Sequence, residues 1–154
     1  MTVVLVTGMS GTGKSAALAE LARRGHRVVD TDYGGWTEGE PGSERLWSED
    51  RIAALLDEHH DGVLFISGCA DNQGSFYPRF DAVVLLSAPA DVILERIAGR
   101  ESNPFGKTAA ERDLILNDIA TVEPLLRAGV TAEIDTRAPL DEVVDALERI
   151  ARDR

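Results

Sequence analysis

Eight residues near the start of the chain, Gly8-Met-Ser-Gly-Thr-Gly-Lys-Ser15, fit the pattern G-x-x-x-x-G-K-S/T at every fixed position. Each residue type has a chemical reason for its place. Glycines let the backbone wrap closely, so that successive N–H groups point inward at phosphate oxygens. A helix that begins at the lysine adds the positive potential of its N-terminus. Lys14 reaches the β- and γ-phosphates of a triphosphate, and the Ser15 hydroxyl is a ligand for Mg²⁺. The nucleotide-contacting set in this stretch is Gly8, Ser10, Gly11, Thr12, Gly13, Lys14, Ser15 and Ala16.

An acidic pair follows, Asp30-Thr-Asp32. It closes a short β-branched run, where alternation puts both carboxylates on one side. At that place one of the two could hold a metal through water and the other accept the proton of an attacking hydroxyl. Lys14, Asp30 and Asp32 are the catalytic candidates. A solvated acidic turn is the plainer reading of the pair, because Asp favours loops.

The rest of the chain reads as the frame for these groups. Val3 to Val6 is a β-branched run before the glycine loop, and Ser15 to Arg24 is a helix closed by Gly25. Arg27 to Val29 is a second strand. Tyr33 to Ser43 carries four glycines and a proline and reads as a loop. Trp47 to His60 has apolar residues at helical spacing. Gly62 to Ser67 and Ala82 to Ser87 are apolar runs of strand length. Pro89 opens a helix with Val92, Ile93 and Ile97. Thr108 and Glu111 have capping-box form before a long helix, which Pro124 kinks or ends. Thr131 to Thr136 is a fifth strand, and Leu140, Val143, Val144, Leu147 and Ile150 stripe a last helix. Unbroken apolar strands alternating with helices predict a three-layer α/β/α, doubly wound, five-stranded parallel sheet. Ligands bind beyond the carboxyl ends of such strands. That edge gathers the Gly8 loop, Asp30, Gly68 and Thr136.

The 154 residues suit one domain spanning 1–154. With 16 basic and 27 acidic residues the net charge is −11, which disfavours nucleic-acid and membrane partners. The single cysteine, Cys69, forms no internal disulfide and fits a reducing, cytoplasmic setting. No apolar run approaches the roughly 18 residues of a membrane span, and the start of the chain does not read as a signal peptide.

Over its whole length the chain resembles the small P-loop kinases of the shikimate kinase and nucleoside-monophosphate kinase group. Gly8 to Ser15 resembles that group's phosphate loop, and Asp30-x-Asp32 the D-x-D of shikimate kinase. Leu94-Glu-Arg96 with Asn103-Pro104 is similar to the start of its lid, and Ile134 to Val143 to its adenine-binding turn. The resemblance implies a P-loop NTPase fold of nucleotide-kinase type, ATP and Mg²⁺ as cofactors, and a small-molecule acceptor. It implies that Arg96 stacks on adenine, that the turn of Thr136, Arg137 and Pro139 closes the other face, and that a lid covers about 100–109. It also implies that Asp30 helps place Mg²⁺ through water with Ser15, and that Asp32 contacts the acceptor hydroxyl as a candidate base, on a side that includes the loop of about 33–46.

The departures bear on the acceptor. Asn103 stands where a lid arginine is expected, with Arg100, Lys107 or Arg127 as possible substitutes. Ser67-Gly68-Cys69 replaces a glycine triplet, and Glu123-Pro124-Leu125 replaces an R-P-L pattern. A glutamate facing a carboxylate is repulsive, so shikimate is a poor substrate and a hydroxylated or cationic acceptor suits better. The acceptor candidates are Asp32, Trp36, Gly68 and Glu123. For Trp36 a loop anchor is an equal reading, and Arg45 and Arg51 read better as surface charges. Asn72, Gln73, Tyr77 and Arg79 line the acceptor pocket or simply pack their loop. The expected function is ATP-dependent phosphoryl transfer to a small metabolite, by a monomer or homodimer. A nucleoside or nucleoside-monophosphate kinase and an ATP-binding regulatory module are the rivals. Asp71-Asn-Gln-Gly74 matches the D-x-x-G of GTP switches, but no N-K-x-D motif accompanies it. Cys69 reads as structural, and His26, His59 and His60 lack zinc-ligand spacing.

Overall fold

The computed structural model describes residues 2–9, 11–38, 46–99 and 107–153. Ser10, Arg45, Arg100, Asn103 and Pro104 lie outside the described residues, as do positions 39–45 and 100–106 of the expected loop and lid. Five strands form one parallel sheet: β1 (Thr2–Thr7), β2 (Arg27–Asp30), β5 (Val63–Ser67), β6 (Ala82–Ser87) and β7 (Ala132–Asp135). A separate ribbon pairs β3 (Thr37–Glu38) with β4 (Leu46–Trp47) antiparallel. The sheet order is β2-β5-β1-β6-β7. The chain therefore passes from β1 to the edge strand β2, returns to β5 between them, and later adds β6 on the other side of β1. A crevice opens at such a reversal, above the carboxyl end of β1, where the glycine loop begins.

Alternation along β1 divides the core. Val4 and Val6 face α1 (Lys14–Arg23) and α6 (Leu140–Arg152), joining Leu18, Leu21, Val144 and Leu147. Val3 and Leu5 face the other way, against Ile52, Leu55 and Leu56 of α2 (Glu49–Glu58) and the rings of Trp47, Phe76 and Phe80. That is the three-layer arrangement, with apolar residues buried from both sides as a parallel sheet requires. α3 (Ala90–Gly99) and α4 (Ala109–Thr121) share a smaller cluster through Ile93, Ile97 and Ile115. The Thr108–Glu111 capping box forms in full. Pro124 sits in the first turn of α5 (Glu123–Gly129), and Val122 ends α4 and starts α5. No helix among the described residues is long and apolar enough to cross a membrane.

Three local expectations need correction. The residues before α2 are not helical: Trp47 is in β4, and the helix begins at Glu49 after Ser48. Thr37–Glu38, expected in a loop, is a strand of that same ribbon. Two-residue strands are too short for any periodicity to announce them. Finally, β2 stops at Asp30, so strand alternation does not extend to Asp32.

Candidate active site

The loop after β1 is held by its own groups. The Thr12 hydroxyl donates to the Met9 carbonyl at 2.8 Å, and Thr12 is fully buried. Gly13 caps α1 in the left-handed region (φ 96°), a conformation that favours glycine. Gly8 serves a different need. A Cβ there would lie 2.4 Å from the Leu86 carbonyl oxygen, so only glycine lets β1 leave the sheet beside β6. Lys14 Nζ donates to the Gly8 carbonyl at 2.7 Å and the Met9 carbonyl at 3.0 Å, lying across the loop. The first N–H groups of α1 have no partner within the helix, as at any helix N-terminus. Ala16 follows on the exposed side of that first turn.

Asp30 meets this loop directly. The Ser15 hydroxyl donates to Asp30 Oδ2 at 2.8 Å. The backbone N–H of Asp32 donates to Asp30 Oδ1 at 3.1 Å, so the acidic pair is a turn closed on its own first carboxylate. Asp32 is exposed, and the two carboxylates are adjacent by this turn rather than by the strand pleat.

The residues expected to hold adenine also converge. Arg96 of α3 donates to the Thr136 hydroxyl at 2.9 Å and to the Thr136 carbonyl at 2.5 Å. A longer contact of 3.4 Å reaches the Gly11 carbonyl of the phosphate loop. Thr136 is in turn bonded through its N–H and hydroxyl to the Ser87 carbonyl at the end of β6. Arg96 therefore ties three segments of the crevice together. Arg137 bends back to Asp135 at 2.7 Å, and Pro139 is the exposed cap of α6.

The acceptor candidates are more dispersed. Trp36 is half-buried, with the Arg51 guanidinium 4.6 Å from its ring centroid, and Arg51 also donates to the carbonyls of Gly34 and Gly35. Gly68 is buried, and the space of its missing Cβ is taken by the Thr31 hydroxyl at 2.1 Å and Trp47 Nε1 at 3.2 Å. Glu123 is buried at 7% exposure, with one carboxylate oxygen on Arg127 at 2.9 Å and the other without a hydrogen-bond partner. Arg127 also binds Glu133 at 2.8 Å, so it is committed to two carboxylates. Gln73 is spent internally on Thr7, Tyr77 and the Ala70 N–H, Asn72 on the Trp47 backbone, and Arg79 on Asp57. A cavity of about 250 Å³ lies beside the ribbon, lined in part by Glu38, Trp47, Glu49, Asp50 and Asn72. None of its lining residues belongs to the phosphate loop, so this cavity is separate from the crevice above β1.

Burial pushes the Cys69 thiol up, against the Lys14 charge and a Thr7 hydrogen bond, which suits a protonated packing residue. His26 pairs with Glu148, and His59 with the Gly62 carbonyl. No cluster of three or more His, Cys, Asp or Glu fit for a metal occurs among the described residues.

Two residues went unremarked in the sequence as parts of this edge. The Thr31 hydroxyl accepts from Trp47 Nε1 at 3.0 Å and donates to the Ser67 carbonyl at 2.8 Å, locking the turn to β5. Ser67 is buried with an unpartnered hydroxyl. The signal was a polar residue closing an otherwise apolar strand.

A family model described as an AAA domain matches residues 4–117. The chain belongs to the AAA domain family. Among solved structures, this AAA domain superposes on a shikimate kinase from Acinetobacter baumannii in complex with shikimate, with TM-score 0.70 and 18% identity over 97% of this chain and 92% of that one. A shikimate kinase from Bacteroides thetaiotaomicron gives TM-score 0.67 and 18% identity, covering 97% of each chain. A sugar kinase from a Janibacter species gives 0.58 and 20%, covering 97% of this chain and 93% of that one. No curated protein matches the chain in sequence. The likeness shows the fold: a P-loop kinase sheet with helices on both faces, of the shikimate kinase kind.

Proposed function

We propose that this AAA domain is an ATP-dependent phosphotransferase that moves the γ-phosphoryl group to a hydroxyl of a small metabolite. The observation that carries the reading is the Ser15–Asp30 contact of 2.8 Å at the mouth of the phosphate loop, beside Lys14. A hydroxyl and a carboxylate are hard oxygen donors, and Mg²⁺ is held in such sites by one or two protein oxygens plus substrate phosphates. The donor set therefore fits Mg²⁺. When bound, the ion neutralises the β- and γ-oxygens.

The chain's own residues supply the rest. The loop amides and Lys14 hold the triphosphate tail and offset its charge as the γ-phosphorus–bridging-oxygen bond breaks. Arg96 and the Thr136 turn form the adenine side. The acceptor oxygen forms the new bond to phosphorus, and Asp32 orients that hydroxyl or takes its proton. ADP leaves with the bridging oxygen.

Shikimate is not the acceptor in this reading. Arg127 is already paired with Glu123 and Glu133, so it does not supply a free cation for a substrate carboxylate. A polyhydroxylated or cationic metabolite suits the edge better. We place the protein in the cytoplasm, without nucleic-acid or membrane partners, as a monomer or homodimer.

A thermal-shift panel with Mg²⁺, a non-hydrolysable ATP analogue and a metabolite library tests this reading. A true acceptor adds stabilisation beyond nucleotide alone, and the same compound then drives ADP release with ATP. Tight analogue binding with no acceptor and no transfer across the library would favour a regulatory module instead.

A further inference from the structure

We propose that Ser67 is a positioning residue for the magnesium–ATP site: its hydroxyl becomes the donor to the Asp30 carboxylate when the Ser15 hydroxyl turns to the metal. The inference rests on the phosphotransferase reading above and extends it to a residue outside the motif.

Ser67 is 1% exposed, and its Oγ has no hydrogen-bond partner. A buried hydroxyl without a partner carries an uncompensated desolvation cost. Its neighbour across the sheet is Asp30, the register partner of Ser67 in the β2–β5 pairing. Side-by-side residues of paired strands share a sheet face. Here it is the face of Val28 and Phe65, the one that α1 covers. Ser15 reaches Asp30 from the start of α1. The Ser15 hydroxyl thus reaches the Asp30 carboxylate from α1, while Ser67 stands beside Asp30 on the same sheet face without a bond of its own.

The Ser67 backbone is fixed. Its carbonyl accepts from both the N–H and the hydroxyl of Thr31. The remaining freedom is rotation about Cα–Cβ, which sweeps Oγ without moving the strand. Asp30 Oδ1 stays on the Asp32 N–H, and Oδ2 is the oxygen that Ser15 vacates. A replacement donor keeps that carboxylate oriented toward a metal-bound water.

The test uses the full chain with a non-hydrolysable ATP analogue and Mn²⁺ as the spectroscopic stand-in for Mg²⁺. Mn²⁺ retained on the protein–analogue complex is followed by electron paramagnetic resonance. Ser67→Ala raises the half-saturating Mn²⁺ concentration about tenfold, as expected for losing a hydrogen bond to a charged group. Without nucleotide, the same variant melts at or above the wild-type temperature, because an unpaired buried hydroxyl has been removed. In an Asp30→Asn background, Ser67→Ala adds nothing further. Unchanged Mn²⁺ half-saturation in Ser67→Ala overturns the proposal. So does an equal loss in the Asp30→Asn background, or a lower melting temperature with Mn²⁺ binding intact. If the wild-type complex retains no Mn²⁺ beyond the analogue alone, the magnesium–ATP reading itself falls, and with it the role of Ser67.

Discussion

On the nucleotide side of the crevice, the groups that would meet a ligand are backbone amides, one lysine and one serine. They are held by short contacts within the loop and to Asp30. On the acceptor side, Trp36 lies under Arg51, the Cβ space of Gly68 is filled by Thr31 and Trp47, and Glu123 is paired with Arg127. Only Asp32 projects as an exposed candidate there. The phosphate side is thus a shape made by backbone, which any P-loop chain reproduces. The acceptor side is a set of side chains that first satisfy one another. A phosphate tail is the same in every substrate of the class, whereas an acceptor differs from protein to protein, and so does the surface that recognises it.

Removing a ligand group from the first side should have the largest effect. Lys14→Ala is expected to lower phosphoryl transfer on the order of 10²–10³-fold or more, as loss of a charge-stabilising donor does. The circular dichroism spectrum should stay that of wild type, because the Lys14 bonds to the Gly8 and Met9 carbonyls lie within the loop and their loss leaves the sheet and helices in place. Turnover close to wild type in this variant would remove the loop from the chemistry altogether.

The next effect is on stability, and it contrasts two glycines. Gly8→Ala drives a methyl into the Leu86 carbonyl at 2.4 Å, a backbone atom that has no room to rotate away. A cost of about 3 kcal/mol is expected. Gly68→Ala meets the Thr31 hydroxyl at 2.1 Å, the end of a side chain that can turn at the loss of its bonds to Ser67 and Trp47. About 1–2 kcal/mol is expected there. Urea denaturation of both variants decides the order. A larger loss at Gly68 would mean that the acceptor edge is the more rigid of the two.

The same contrast explains what the sequence could announce. Gly8 to Ser15 is a contiguous string whose function depends on backbone shape, so its spacing is visible in one line of residues. The five sheet strands and most helices were legible from apolar runs, stripes and caps, but α5 was not: Pro124 announced the end of α4 without announcing a new helix. The resemblance put Arg96 and the Thr136 turn on opposite faces of an adenine, and their direct contact was not anticipated, because no periodicity links the two residues. The ribbon of Thr37–Glu38 and Leu46–Trp47 was invisible because pairing, not pattern, defines it. Thr31 was given no role, and Ser67 was read only within Ser67-Gly68-Cys69, because a small polar residue at a strand end is a signal that does not name its partner. Its meaning is the neighbour across the sheet.

A smaller effect should follow from loosening the adenine side. Arg96→Ala removes the bonds to Thr136 and the contact with Gly11 while leaving Lys14 and Ser15 in place. The KM for ATP should rise about tenfold, matching one or two lost hydrogen bonds. The rate at saturating ATP should change much less. An unchanged KM with a reduced kcat would shift Arg96 from nucleotide holding to the reaction step.

The smallest effect tests whether charge alone couples the two sides. Glu133 on β7 joins them, accepting from Arg127 of α5 at 2.8 Å and from the Ser87 hydroxyl at 2.7 Å. The Arg127 guanidinium, assisted by Ser87, holds the Glu133 carboxyl below its ordinary value of 4.5, against partial burial. A group whose folded value is depressed stabilises the fold above its unfolded value. That contribution is lost as pH falls through 4.5 toward the folded value, because the unfolded chain takes up the proton first. The pair is partly solvent-exposed, so the contribution near neutral pH is at most about 1 kcal/mol. Glu133→Gln should therefore be slightly less stable than wild type at about pH 7, with a smaller deficit at an acid pH well below 4.5. Urea melts at the two pH values measure the difference. A deficit that persists unchanged in acid would show that Glu133 joins the two sides through packing and neutral hydrogen bonds, with its charge playing no part.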